Sequence, residues 1–232
     1  FNELKEKTYI ADVKIVKRLS SRLDETVKYV YGLYDGEYIE SVLMKYEHGY
    51  TVCISTQVGC RMGCSFCASG IAGLTRNLTA SEMLAQITAA ERDNDIRVSN
   101  IVMMGMGEPL DNFDNSVRFL RLVSDSGGLN IGLRHISLST SGVVSGIKKL
   151  KEYNFPITLS ISLHAPNDEI RSSIMRVNKK WNIDELLAAC KEYQAVTTRR
   201  ISFEYALIDG VNDSDGCAEE LAKRLKGIMC HV

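Results

Sequence analysis

Residues 51–67, TVCISTQVGCRMGCSFC, decide how the chain is organised. The segment opens with a β-prone run, Thr51 to Thr56, and passes into a loop where Cys60, Cys64 and Cys67 stand at C-x3-C-x2-C spacing, with Gly59 before them and Gly70 and Gly73 after. Further along, the same grammar repeats. Short apolar runs at Asn100 to Met104, His135 to Ser139, Ile157 to Leu163 and Arg200 to Ile208 alternate with helical stretches near Ser81 to Arg92, Asn115 to Ser124, Ser145 to Tyr153, Asp184 to Gln194 and Asp215 to Lys226. Such alternation is the pattern of parallel βα units. The runs predict strands too apolar to face solvent, and Thr79…Glu82 and Asn182…Glu185 have the spacing of helix-capping boxes.

Before residue 51 the pattern is different. Tyr9 to Arg18 alternates, and Thr26 to Tyr34 and Tyr38 to Tyr46 are β-prone runs joined by Asp35-Gly36, a hairpin-turn signal. The chain closes at Cys230-His231-Val232, where the next parallel strand is due, and a closed eight-unit barrel needs roughly 250 residues. The expectation is an α/β fold: a partial, open βα barrel over residues 51–232, its last strand and C-terminal tail missing, preceded by a small N-terminal β extension over residues 1–50. The first residue is Phe rather than Met, so the chain reads as a piece of a longer protein.

Composition narrows the function classes. Of 232 residues 45% are hydrophobic, enough for one sizeable core, and 28 Lys+Arg against 29 Asp+Glu give a net charge of −1, which makes no global electrostatic case for a nucleic-acid partner. No apolar run of membrane-spanning length and no signal peptide is visible in residues 1–232. Seven cysteines, three of them within eight residues, do not form a secreted disulfide framework; they point to a reducing cytoplasm.

Three thiolates at this spacing can hold three irons of a 4Fe-4S cube and leave the fourth iron free to chelate the amino and carboxylate groups of S-adenosylmethionine. A closed zinc site needs a fourth ligand in a second pair, which the chain lacks, and a thioredoxin-like reading of Cys64 and Cys67 leaves Cys60 unexplained. Gly105-Met-Gly107-Glu108-Pro109 follows the second barrel strand, at the strand end where barrel active sites gather. Glu108 there is a candidate partner for the cofactor's ammonium, although a Gly-rich turn after a strand is usually just a turn. Ser139 and Ser162-Leu163-His164 end the next two strands on the same face. From the residues alone they read equally as cofactor contacts or as strand-end caps and a satisfied histidine. Cys53 reads as a buried structural thiol, Cys190 as core, and Cys217, Cys230 and Glu40 carry no signal of their own. Arg171, Arg176, Lys179 and Lys180, and the pair Arg199-Arg200, read first as solvated faces and second as phosphate contacts.

TVCISTQVGCRMGCSFC, together with RNLT (76–79), MMGMGEPLDNFDN (103–115), LSTSGVV (138–144), SLHAPNDEI (162–170) and VND (211–213), resembles the RlmN/Cfr family of radical S-adenosylmethionine RNA methyltransferases, and the RlmN branch most closely. The resemblance covers nearly the whole chain. It implies methylation of carbon 2 of an adenine in 23S ribosomal RNA and in certain transfer RNAs. Two molecules of S-adenosylmethionine would serve each turnover: one places a methyl on a cysteine and the other makes the 5′-deoxyadenosyl radical that activates that methyl. It further implies Cys60, Cys64 and Cys67 as cluster ligands, and Gly107, Glu108, Ser139, Ser162, Leu163 and His164 as cofactor contacts. Glu40 becomes the proton acceptor and Cys53 the thiol that releases the product. An electron donor of the flavodoxin or ferredoxin kind, a cytoplasmic location, a monomeric state and no membrane association complete the expectation. The family's methyl-carrying cysteine and a cofactor-contacting asparagine on the sixth strand fall beyond Val232, so this chain alone is expected to bind cofactors without completing methyl transfer. The alternatives are the Cfr branch, which methylates carbon 8 of the same adenine and confers antibiotic resistance, and a non-catalytic iron-sulfur or RNA-binding module.

Overall fold

A computed structural model describes residues 12–232. Eleven strands and six α-helices lie among them, and nine of the strands form one sheet in the order β1-β2-β3-β4-β7-β8-β9-β10-β11. The first four are an antiparallel meander: β1 (Lys14–Ser20), β2 (Val27–Gly32), β3 (Tyr38–Tyr46) and β4 (Gly49–Cys53). The expected hairpin turn lies between β2 and β3, where Gly36 takes φ +87°, a conformation glycine adopts without a steric cost. Of the alternating run Tyr9 to Arg18, residues 9–11 lie outside the described part. From β4 onward the strands are parallel: β7 (Val98–Met103), β8 (Ile136–Thr140), β9 (Thr158–Ser162), β10 (Ile201–Glu204) and β11 (Cys230–His231). The sheet therefore runs unbroken across residue 50, which falls inside β4. The sixth parallel strand, expected to be missing, is present as two residues: Cys230 pairs with Ile201 and His231 with Ser202.

Helices α1 (Ala80–Asn94), α2 (Phe113–Val123), α3 (Val144–Tyr153), α4 (Asp168–Ile174), α5 (Ile183–Thr197) and α6 (Asp215–Leu225) connect the parallel strands. Both expected capping boxes form: Thr79 and Glu82 exchange bonds at the start of α1, Asn182 and Glu185 at the start of α5. The meander is fastened to α1 by Tyr29 Oη, which donates to Asp93 Oδ2 at 2.7 Å, and by Arg18, whose Nε lies 2.8 Å from the same oxygen.

Register assigns each strand residue to a face of the sheet, because Cα partners on neighbouring strands point the same way. Val52, Ile101, Leu138, Leu159, Ile161, Ile201 and Phe203 form the helix face and are almost fully buried in the core. The opposite face follows the pairs Val42↔Cys53, Cys53↔Val102, Val102↔Ser137, Ser137↔Thr158, Ser139↔Ser160, Ser160↔Ser202 and Ser162↔Glu204. The helix face of the parallel strands is apolar, whereas their second face carries mainly polar side chains, more polar than the expectation of strands too apolar to face solvent. The second face is rich in hydroxyls because it walls a cavity rather than packing against another layer.

Candidate active site

The cavity opens at the C-terminal ends of the parallel strands, and Cys60, Cys64 and Cys67 line its mouth. Their loop is pinned at its base by the two-stranded hairpin of β5 (Gln57–Gly59) and β6 (Leu74–Asn77), and Cys60 N donates to Gly73 O at 2.9 Å. Gly59 takes φ +75°, and any Cβ there would sit 1.9 Å from Gly73 O, so only glycine lets the loop close. Outside the hairpin, Arg61 Nε donates to Asp111 Oδ2 at 2.8 Å and Ser65 N donates to Ile174 O at 2.9 Å, so the loop is held from both sides.

Burial pushes the thiols of Cys60 and Cys64 up, Cys64 to about 11. Neighbouring thiolates add to the shift at Cys64. Thiols that resist ionisation in this way become good ligands once a metal supplies the compensating charge. Among the described residues no three His, Cys, Asp or Glu side chains converge as tightly as a single metal ion requires. In a cube each thiolate takes a different iron, so cysteines ranged around a shared cavity suit a cluster.

Facing them, Glu108 is 3% exposed and accepts from Leu110 N at 3.0 Å, Ser141 N at 2.7 Å and Ser141 Oγ at 2.8 Å. None of those donors is a cation, and burial raises the carboxyl above its ordinary value. A buried carboxylate beside three thiols, without a positive partner among the described residues, fits a ligand that brings its own ammonium. The glycines before Glu108 line the same cavity, and their lack of a side chain also serves the fold. A Cβ on Gly105 would press on Ile54, and one on Gly107, at φ +104°, would come within 2.7 Å of Gln57, so here they let two backbone segments approach each other. Gln57 Oε1 in turn accepts from Glu108 N at 2.8 Å.

Ser139, Ser162 and His164 line the same cavity. Leu163 does not; its side chain is buried in the core, and its backbone joins Glu204 O and Arg171 Nε. His164, at φ +55°, accepts from Ala206 N through Nδ1 at 3.0 Å and stands edge-on to Phe66 of the cysteine loop at 5.1 Å. Burial pulls it down to about 4, so the ring is neutral and its Nε2 carries the proton. Cys53 lies on the same face of β4, two strands from Ser139; burial pushes its thiol up to about 11. Glu40 shares that face at the next inward position of β3. It lines an adjoining cavity with Ala68, Ser69 and Met106, and pairs with Lys28 Nζ at 2.9 Å.

Two participants had escaped the sequence reading. Glu204 ends β10 with its carboxylate accepting from Ser139 Oγ at 3.2 Å and Ser162 Oγ at 2.9 Å; counting in twos from Ser202 would have found it. Ser141, which holds Glu108, sits past the strand end in a loop where no period applies. In the basic run 171–180 only Arg171 departs from the solvated reading, at 0% exposed; Arg176, Lys179 and Lys180 are exposed, Arg176 lying over Gly63 and Lys180 4.3 Å above the Trp181 ring.

A half-barrel with a three-cysteine loop at the strand ends defines a radical S-adenosylmethionine protein, and the family model of the radical SAM superfamily matches residues 54–222. The chain belongs to this superfamily, and within it to the RlmN/Cfr family. It is 57% identical over 231 residues to the probable dual-specificity RNA methyltransferase RlmN of Alkaliphilus oremlandii, covering 100% of this chain and 67% of that protein. It is 54% identical over 230 residues to the protein of the same name from Clostridium novyi, covering 99% and 67%. The crystal structure of a radical SAM methyltransferase from Sphaerobacter thermophilus superposes with a TM-score of 0.95 at 48% identity, over 100% of this chain and 69% of that one. The chain thus spans about two thirds of the length of the curated relatives it matches. Its cofactors are those of the family, a 4Fe-4S cluster and S-adenosylmethionine.

Proposed function

We propose that this chain is the catalytic core of a radical S-adenosylmethionine RNA methyltransferase acting on carbon 2 of an adenine in 23S ribosomal RNA and in certain transfer RNAs, by way of a cysteine-borne methyl group. The observation that carries the reading is the register, which gives Glu40, Cys53, Ser139, Ser162 and Glu204 one common face below the cysteine loop. Relatives over 50% identical bear the name of a dual-specificity RNA methyltransferase. Cys60, Cys64 and Cys67 would hold the cluster, and Glu108 would take the ammonium of S-adenosylmethionine. Ser139, Ser162, His164 and the backbone around Gly107 and Leu163 would seat the rest of that cofactor. Bound together, the two groups supply one-electron chemistry that activates an unreactive methyl.

The chain's own residues perform the remaining steps. Glu40 takes the proton that the adenine ring gives up after the new carbon bond forms. The Cys53 thiolate attacks the sulfur of the carbon–sulfur link between protein and RNA, forming a disulfide as that link breaks and its electron pair leaves on carbon, which is protonated to give the product methyl. The thiol that carries the methyl is a different one: Cys190 is buried in the core, and neither Cys217 nor Cys230 lines the cluster cavity. Electrons come from a donor of the flavodoxin or ferredoxin kind, and the enzyme works as a monomer in the cytoplasm. No helix among the described residues is long and apolar enough to cross a membrane.

The test is mass spectrometry of RNA from cells that express the full-length protein and lack their own enzyme. Methylation of adenine at carbon 2 is expected; methyl at carbon 8 would move the protein to the Cfr branch, and unmodified RNA would reject the reading. In the same enzyme, Glu40→Gln and Cys53→Ala should each trap a protein-RNA adduct visible on denaturing gels, because the amide cannot accept the ring proton and alanine cannot attack sulfur. Parental yields of free methylated RNA from either variant would return that residue to an ordinary structural role.

A further inference from the structure

Arg171, on the short helix α4, is an arginine with no exposed surface, and its bonds are unusual for a buried cation. Nε donates to Leu163 O at 3.0 Å, Nη1 to Asn178 Oδ1 at 2.9 Å, and Nη2 to Ser141 O at 2.6 Å and Ser162 O at 3.1 Å. Every acceptor is neutral. Asp168, the carboxylate whose charge most favours the guanidinium, is engaged elsewhere, accepting through Oδ1 from Asn178 Nδ2 at 2.9 Å and from Ile183 N at 2.8 Å. An arginine buried without an ion pair costs several kcal/mol unless negative charge lies close by. Burial pulls this guanidinium down to about 10, still far above neutral pH, so it stays charged, and the Cys64 sulfur, once ionised as a cluster ligand, is the group that most favours that charge.

The four bonds also explain a piece of site geometry. Ser141, whose N and Oγ both grip Glu108, has its carbonyl fixed by Arg171, and the same fork fixes the carbonyls of Ser162 and Leu163. One turn further along α4, Ile174 O receives Ser65 N of the cysteine loop. A single guanidinium thus ties together the ends of β8 and β9 and stands behind the loop that carries Cys64.

We infer that Arg171 is a positioning residue whose buried positive charge offsets the negative charge of a cluster held by Cys60, Cys64 and Cys67, raising its reduction potential, while its fork braces the two loops that seat S-adenosylmethionine. The inference rests on the reading that these cysteines hold the cluster. An iron-sulfur potential follows the net charge around the cluster, and a reduced cluster carries one more negative charge than an oxidised one, so a cation nearby favours reduction. Removing the cation makes the cluster harder to reduce. Replacing it with another cation that lacks the planar fork should leave the potential but loosen the brace.

The test compares Arg171→Met, Arg171→Gln and Arg171→Lys with the parent, all purified anaerobically and assayed for iron, for midpoint potential without S-adenosylmethionine by spin-resonance titration, and for S-adenosylmethionine affinity. In the two neutral variants the ratio of reduced to oxidised cluster at a fixed potential should fall at least tenfold, which for a one-electron couple is about 59 mV. The lysine variant should stay within twofold of the parent in that ratio and bind S-adenosylmethionine at least threefold more weakly. Neutral variants that lose the cluster while lysine retains it would also support the charge role. Neutral variants with full iron and the parental potential would overturn it, as would a lysine variant whose potential falls as far as theirs or that itself fails to hold iron. Parental affinity in the lysine variant would remove the brace. A parent without four irons per chain would instead sink the reading of the cysteine loop.

Discussion

On their helix face the parallel strands present Val52, Ile101, Leu138, Leu159, Ile161 and Phe203, all within a continuous core; on their cavity face the same strands present Cys53, Ser137, Ser139, Ser160, Ser162 and Glu204. A closed barrel fills its interior with layers of branched apolar side chains. This one keeps hydroxyls there, satisfied across strands as in the 2.9 Å contact between Ser137 and Ser160. Hydroxyl groups that already have partners stabilise little and can exchange them for a ligand's, so fold stability is concentrated on one face and recognition on the other.

The largest expected effect lies at the mouth of the cavity. Replacing Cys60, Cys64 or Cys67 with alanine should reduce iron from about four per chain to near zero, because three thiolates already leave one iron without a protein ligand. Circular dichroism should stay close to the parent's, since the loop lies outside the helix-face core. Full iron in one such variant would strike that cysteine from the ligand set.

Next comes a pair that sets the faces against each other at adjacent positions of β10. Phe203→Ala should cost about 3–5 kcal/mol in urea unfolding, as large aromatic truncations in cores do, whereas Ser202→Ala on the cavity face should change stability by no more than about 0.5 kcal/mol. Equal losses would mean that the interior is packed and that the two faces do not divide their labour.

The same division explains what was legible in the sequence. Period and caps disclosed the helices, and the apolar half of each strand disclosed the sheet, because both signals are local. The cysteine spacing disclosed the cluster loop for the same reason. Arg171 was misread because nothing local marks its burial; its partners at 141, 162, 163 and 178 come from three separate segments. Glu40 and Cys53 became candidates only through resemblance, since their shared face depends on register across β3 and β4. Cys230 and His231 carried too short a run to announce a strand, and it is β10 that makes them one.

The smallest expected effect tests whether the cysteine-lined cavity holds His164, the one histidine among the described residues that lines it, neutral. His164 is pulled by burial to about 4 from its ordinary 6.5. Above pH 6.5 neither the folded nor the unfolded chain protonates it; as pH falls below 6.5 the unfolded chain binds a proton that the folded chain refuses until about 4. The stability associated with this group is therefore complete above pH 6.5 and is lost as pH falls toward 4, by on the order of 2 kcal/mol at pH 5. His164→Asn removes the titration with little other change: Asn tolerates the left-handed backbone at φ +55°, and its Oδ1 can stand where Nδ1 accepts from Ala206 N. The variant and the parent, compared in the same metal state, should lose stability between pH 7 and pH 5 by amounts that differ by about 2 kcal/mol, the variant losing less. Superimposable pH profiles would mean that the ring reaches solvent and protonates in place, and that the cavity face near Phe66 is wetter than its geometry indicates.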